Sequence, residues 1–100
     1  MEVIHNENKR SFEVIVDGAR AHADYVVENG MLDVRHTFVP DSLRGKGLAA
    51  IVVKAAFDYA LEHGLIPVGT CSYAATWLER HPEYEGKKGR DYGGPGTCSL

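Results

Sequence analysis

One hundred residues, 44% of them hydrophobic, suffice for one domain near the lower limit of what a single core supports. Eleven Lys+Arg against fourteen Asp+Glu leave a net charge of −3, which argues against a general nucleic-acid binder, because phosphate contacts need a concentrated basic face. Two cysteines are too few for a disulfide framework, no run reaches the ~20 apolar residues of a membrane span, and the N-terminus lacks the pattern of a secretory signal; a cytoplasmic protein with free thiols is expected.

Ser11 to Val16 alternates, with Phe12, Val14 and Val16 on one face. Asp17-Gly18 follows, a dipeptide that accepts the positive φ of a tight hairpin. Ala19, Ala21, Ala23, Tyr25 and Val27 then alternate against Arg20, His22, Asp24, Val26 and Glu28, and Asn29-Gly30 is a second hairpin signal. The third run sets Leu32, Val34, His36 and Phe38 on one face and Asp33, Arg35 and Thr37 on the other. Period two between turns reads as an antiparallel meander.

The period changes after Pro40. Lys54, Asp58 and Glu62 recur every four residues and form one solvent stripe on a helix from Leu48 to His63. Leu48, Ile51, Val52, Ala55, Phe57, Tyr59 and Leu61 fill most of the rest, so much of its circumference should be buried. Gly64 ends it, Leu65 to Ser72 reads as a strand, and Tyr73 to Arg80 as a shorter helix stopped by Pro82. Strand, helix, strand at this length favours a crossover to a parallel strand. The expected class is α+β: an antiparallel meander, a helix, a parallel-type strand and a short helix, in a single domain over 1–100 with a flexible tail from about 85.

The segment between the third strand and the long helix, Val39-Pro40-Asp41-Ser42-Leu43-Arg44-Gly45-Lys46-Gly47-Leu48-Ala49, is the most informative. Glycines at 45 and 47 let backbone N–H groups converge without Cβ obstruction. The first helical turn adds unpaired donors and a positive dipole end. Together they suit a pyrophosphate, with Arg44 and Lys46 adding charge at the rim. A tight strand-to-helix turn with no ligand is the plain alternative. The chain has neither the Gly-Lys-Ser/Thr of a P-loop nor the Gly-x-Gly-x-x-Gly of a dinucleotide fold.

Arg44-Gly45-Lys46-Gly47-Leu48-Ala49 resembles the Arg/Gln-x-x-Gly-x-Gly/Ala motif of the GNAT superfamily of N-acetyltransferases, and the segment His36-Thr37-Phe38-Val39-Pro40 with Cys71-Ser72-Tyr73 is similar to its very small single-domain members. The resemblance runs from about Phe12 to Pro82. It implies an acyl-CoA-dependent acyltransferase, with acetyl-CoA as donor and no metal. The acceptor would be a small amine or a protein lysine or N-terminus, with no nucleic-acid or membrane partner. It also implies that backbone N–H groups from Arg44 to Ala49 hold the coenzyme A pyrophosphate. The pantetheine would then run between the His36 strand and the Cys71 strand, past Phe38, Val39 and Tyr73. The chain is shorter than full-size members and lacks segments that shape the acceptor pocket there, so a non-catalytic coenzyme A-binding or sensing module stands as the alternative.

His36 is the candidate base, since a histidine can take a proton from an ammonium near neutral pH; a hydrogen-bonded core histidine is the plainer reading. Cys71 is either a nucleophile that carries the acyl group or a small buried wall residue. Tyr73 could protonate the departing thiolate, although an aromatic at a helix start more often packs. Trp77 reads as core, His22 as solvated, His63 and His81 as helix-end histidines, and His5 as uninformative. Lys87, Lys88 and Arg90 could reach a coenzyme phosphate, but a solvated run is the simpler reading.

Overall fold

In a computed structural model that describes residues 2–88, six strands form one sheet whose spatial order is their order in the chain. They are β1 (Ile4–Asn6), β2 (Ser11–Val16), β3 (Ala19–Glu28), β4 (Met31–Phe38), β5 (Ile66–Gly69) and β6 (Lys87–Lys88). Two helices, α1 (Leu48–Glu62) and α2 (Ser72–Arg80), link β4 to β5 and β5 to β6. Short 3-10 turns occupy Asp41–Leu43 and Pro82–Tyr84. Arg90, Cys98 and the remainder of the Gly-rich tail lie outside the described residues.

The meander forms as its turn residues dictate. Asp17 and Gly18 have φ of 50° and 81°, Asn29 and Gly30 of 53° and 76°, two consecutive left-handed residues in each hairpin. That is the turn whose twist matches the flanking strands. β1 to β4 are antiparallel, and β4–β5 and β5–β6 are parallel. β1 was not expected; three residues are too few to show a period. β6 lies in the stretch expected to be flexible. β5 is shorter than its apolar run, because Thr70 and Cys71 both donate their backbone N–H to Val34 O, at 3.1 Å, and the chain then turns into α2.

Both helices pack on one face of the sheet. Phe12, Val14, Ala21, Ala23, Leu32 and Val34 from the strands join Leu48, Val52, Val53, Phe57 and Ala60 of α1 in one core, and Trp77 of α2 meets Phe57 with ring centres 5.6 Å apart. Lys54 and Glu62 of the charge stripe are exposed and Asp58 is half-buried, while Leu61, expected on the buried side, is exposed; Lys54 Nζ donates to Asp58 Oδ2 at 2.8 Å. The helix closes with paired reverse bonds, Leu65 N–H to Ala60 O at 2.8 Å and Gly64 N–H to Leu61 O at 3.3 Å, around Gly64 at φ 68°. α2 approaches β5 at Gly69: a Cβ there would sit 2.5 Å from Ala75 N.

One expectation is overturned. Asp24 pairs with His36 but Tyr25 with Val34, so Arg35 is an extra residue on β4, a β-bulge. The extra residue reverses the alternation. Leu32 and Val34 face the helices, as does Thr37, whereas His36 and Phe38 face away. His36 therefore does not share a face with Val34.

Candidate functional site

The loop after β4 builds a cavity at the start of α1. Gly45 and Gly47 take φ of 83° and 73°, and at both positions the space a side chain would fill is empty. Gly47 caps α1 in the left-handed conformation without any side-chain hydrogen bond, so no side chain caps the amides of the first turn. The cavity, of about 240 Å³, is lined by Val39, Leu43, Arg44, Gly45, Gly47, Leu48, Ala49 and Tyr73. Arg44 Nε pairs with Asp41 Oδ1 at 3.1 Å, which holds its guanidinium at the rim.

Next to it the sheet comes apart. The β4–β5 ladder ends at Val34↔Gly69, while β4 continues to Phe38 and the other chain enters α2. Asp33 pins the last paired level: buried, it accepts from Thr70 N at 3.2 Å and from Arg35 Nε at 3.0 Å, and Thr70 Oγ1 lies 2.7 and 2.8 Å from its two oxygens. Beyond that clasp, Thr37 from β4 faces Cys71, with Oγ1 and Sγ 3.4 Å apart and both fully buried. Cys71 is disulfide-bonded, so the hydroxyl is the donor, and no free cysteine is present among the described residues. The expected free thiol is thus corrected; a nucleophilic sulfur here requires prior reduction.

A second depression, of about 370 Å³, runs between α1 and α2 and shares Tyr73 with the loop cavity. Its floor includes Ala50, Ile51 and Trp77, and its rim carries Lys54, Arg80 and His81. His81 is stacked on Trp77 (ring centres 3.9 Å apart) and donates Nδ1–H to Trp77 O at 2.8 Å. Burial pushes the Tyr73 phenol above its ordinary pKa, against the opposing pull of Arg80, so it stays protonated well past neutrality.

A turn of left-handed glycines, an uncapped helix start and a parallel pair of strands that parts beside it now stand together. The family model for GCN5-related N-acetyltransferases matches residues 11–87. The chain belongs to that family. Among curated relatives, the GCN5-related chain is 33% identical over 85 residues to Protein NATD1 of Gallus gallus, covering 82% of this chain and 77% of that one, and matches Protein NATD1 of Homo sapiens equally well over 75% of its length. Among solved structures, a GCN5-like protein from Staphylococcus aureus superposes with a TM-score of 0.67 at 27% identity, over 95% of both chains.

Of the positions singled out in this GCN5-related sequence, Val39, Arg44, Gly45, Gly47, Leu48, Ala49 and Tyr73 line one cavity. Lys46 is exposed outside it, and Phe38 lies on the other face of the sheet, against His22, with ring centres 5.6 Å apart. His36 and Cys71 are not brought onto one face: Cys71 meets Thr37, whose side chain points opposite to that of His36. Thr37, Asp33 and Thr70 were missed, because buried polar residues inside a strand pattern look like ordinary alternation. Trp77 is core as expected. His5, read as uninformative, stacks on Phe12 with ring centres 4.1 Å apart and bonds Tyr25 OH through Nε2.

Proposed function

We propose that the chain is an acyl-CoA-dependent acyltransferase, with acetyl-CoA as donor and an amine as acceptor. The observation that supports this best is the loop cavity, where the uncapped amides of α1 and two left-handed glycines face open space beside Arg44. A diphosphate seated there receives backbone N–H bonds and the positive end of the helix. The adenosine end then falls towards the groove between α1 and α2, where Arg80, Lys54 and His81 suit its 3′-phosphate. The pantetheine enters the parting between β4 and β5, with Phe38 and Lys46 at its margins.

In this reading His36 takes a proton from the acceptor ammonium, and the freed amine attacks the thioester carbonyl carbon. The C–S bond breaks towards sulfur, and Tyr73, a phenol protonated at neutral pH, supplies the proton that makes the leaving group a thiol. Backbone N–H groups in the parting polarise the carbonyl. Cys71 walls the cleft in its bonded form and becomes a nucleophile only when reduced.

A non-catalytic coenzyme A-binding module is the second reading. It draws on the arrangement of α1 and α2, which pack together on one face and leave the His36 face without a helix among the described residues. Calorimetric titration with acetyl-CoA tests both readings: no heat at millimolar ligand removes them together. Coenzyme release with a panel of amines separates them, since a module binds without turnover.

A further inference from the structure

The bulge that turns His36 away from the helices sets it among groups that the steps above leave unused. Asp24 is the register partner of His36, and His22 that of Phe38. His22 Nδ1 lies 2.9 Å from Asp24 Oδ1, and the rings of His22 and His36 are 6.0 Å apart between centres. Rings at that separation are neighbours on one face of the sheet, close enough for a water-mediated link between them. On its other flank His22 faces Glu13 in register, but Arg20 Nε already donates to Glu13 Oε2 at 2.6 Å. Asp24 is therefore the carboxylate that receives the His22 proton. A carboxylate on Nδ1–H fixes the tautomer, leaves Nε2 as the base and compensates an imidazolium when it forms.

We propose that His22, oriented by Asp24, is a positioning residue that relays the proton His36 removes from the acceptor, an inference that rests on the acyl-transfer reading above. Acylation of an ammonium releases two protons from nitrogen. The first goes to His36, across a bridging water to Nε2 of His22, and out to solvent. The second is lost as the tetrahedral intermediate collapses to the amide, and it restores the Tyr73 phenol, whose own proton has gone to the leaving sulfur. Thioester and ammonium thus become amide, thiol and one released proton. His22 touches no reacting atom and acts through His36.

The test combines a structural and a kinetic readout on the full chain. Long-range ¹H–¹⁵N spectra of the wild type should show neutral His22 as the Nδ1–H tautomer; an Nε2–H tautomer overturns the proposal, whatever the activity. Acetyl-CoA turnover is then followed by chromatographic detection of released coenzyme, using lysine peptides and polyamines as acceptors. His22→Gln should lower kcat by about ten- to a hundredfold with KM for acetyl-CoA unchanged. Asp24→Asn should fall with it, and Asp24→Glu should recover part of the rate. Variants that bind acetyl-CoA normally and turn over at the wild-type rate sink the relay while the acyl-transfer reading stands. A wild type that binds but never turns over removes that reading, and the relay with it. If a variant does not fold, the wild-type tautomer decides.

Discussion

Replacing Gly69 by Ala tests the packing of α2 on β5 beside the parting between β4 and β5. The new Cβ would lie 2.5 Å from Ala75 N and 2.8 Å from both Ala74 C and Ala75 Cα, all of them backbone atoms of α2. No side chain can rotate away, so the helix must retreat by close to an ångström to reach ordinary contact. Overpacking of this kind costs about 1–3 kcal/mol. Gly69 is not left-handed, so alanine adds no backbone strain to confuse the result. For a domain of this size about 2 kcal/mol corresponds to a drop in Tm of roughly 8–16 °C. The helix carries Tyr73 and begins next to Cys71, so a retreat should also weaken acetyl-CoA binding. Thermal unfolding by circular dichroism, with calorimetry on the same sample, reads both effects. A Gly69→Ala protein that melts within about 2 °C of the wild type would refute the close approach of α2 to β5.

Gly47→Asn tolerates the left-handed backbone but fills the space in front of the α1 amides, so acetyl-CoA affinity should fall about tenfold or more while Tm moves by a few degrees. If Arg80 serves the 3′-phosphate, Arg80→Ala should weaken coenzyme A but leave dephospho-coenzyme A unaffected, as read by paired titrations; equal losses would move the adenosine end elsewhere. Incubation with acetyl-CoA should leave an acetyl adduct by intact mass only after reduction and only with Cys71 present; an adduct retained in Cys71→Ala excludes the covalent route through this sulfur. Tyr84 donates to Asp58 Oδ1 at 2.6 Å, and burial, then this bond, raise its pKa to about 12. A raised acid holds its proton longer in the folded chain, so its stabilisation is whole below pH 10 and is lost as pH rises towards 12. Alkaline unfolding of Tyr84→Phe should accordingly show a shallower decline across that interval.

Local chemistry made much of this molecule readable. Asp17-Gly18 and Asn29-Gly30 announce their hairpins because few other pairs adopt two left-handed residues in a row. The four-residue spacing of Lys54, Asp58 and Glu62 marked one solvent stripe of α1, and the turn before it was legible because Gly45 and Gly47 supply the left-handed backbone that a tight strand-to-helix connection needs. What escaped were features set by how strands and helices meet in space rather than by residue type. The bulge at Arg35 has no local signature, since Arg35 looks like any outward strand residue, yet it decides which face His36 serves. His22 read as solvated because its neighbour Asp24 gives no hint that the two side chains will join. Gly69 looked like an ordinary small residue in a strand until the backbone of α2 was found against it.

The strictly sequential strand order has a kinetic consequence. Each strand finds its partner in the segment just made, so the first four can close as successive hairpins, each with a small loop-closure cost. The joining of β4 to β5, and of β5 to β6, must each wait for an intervening helix. Folding should therefore be limited by docking α1 onto a sheet that already exists, and a chain emerging from the ribosome could complete most of its pairings before its second half is synthesised.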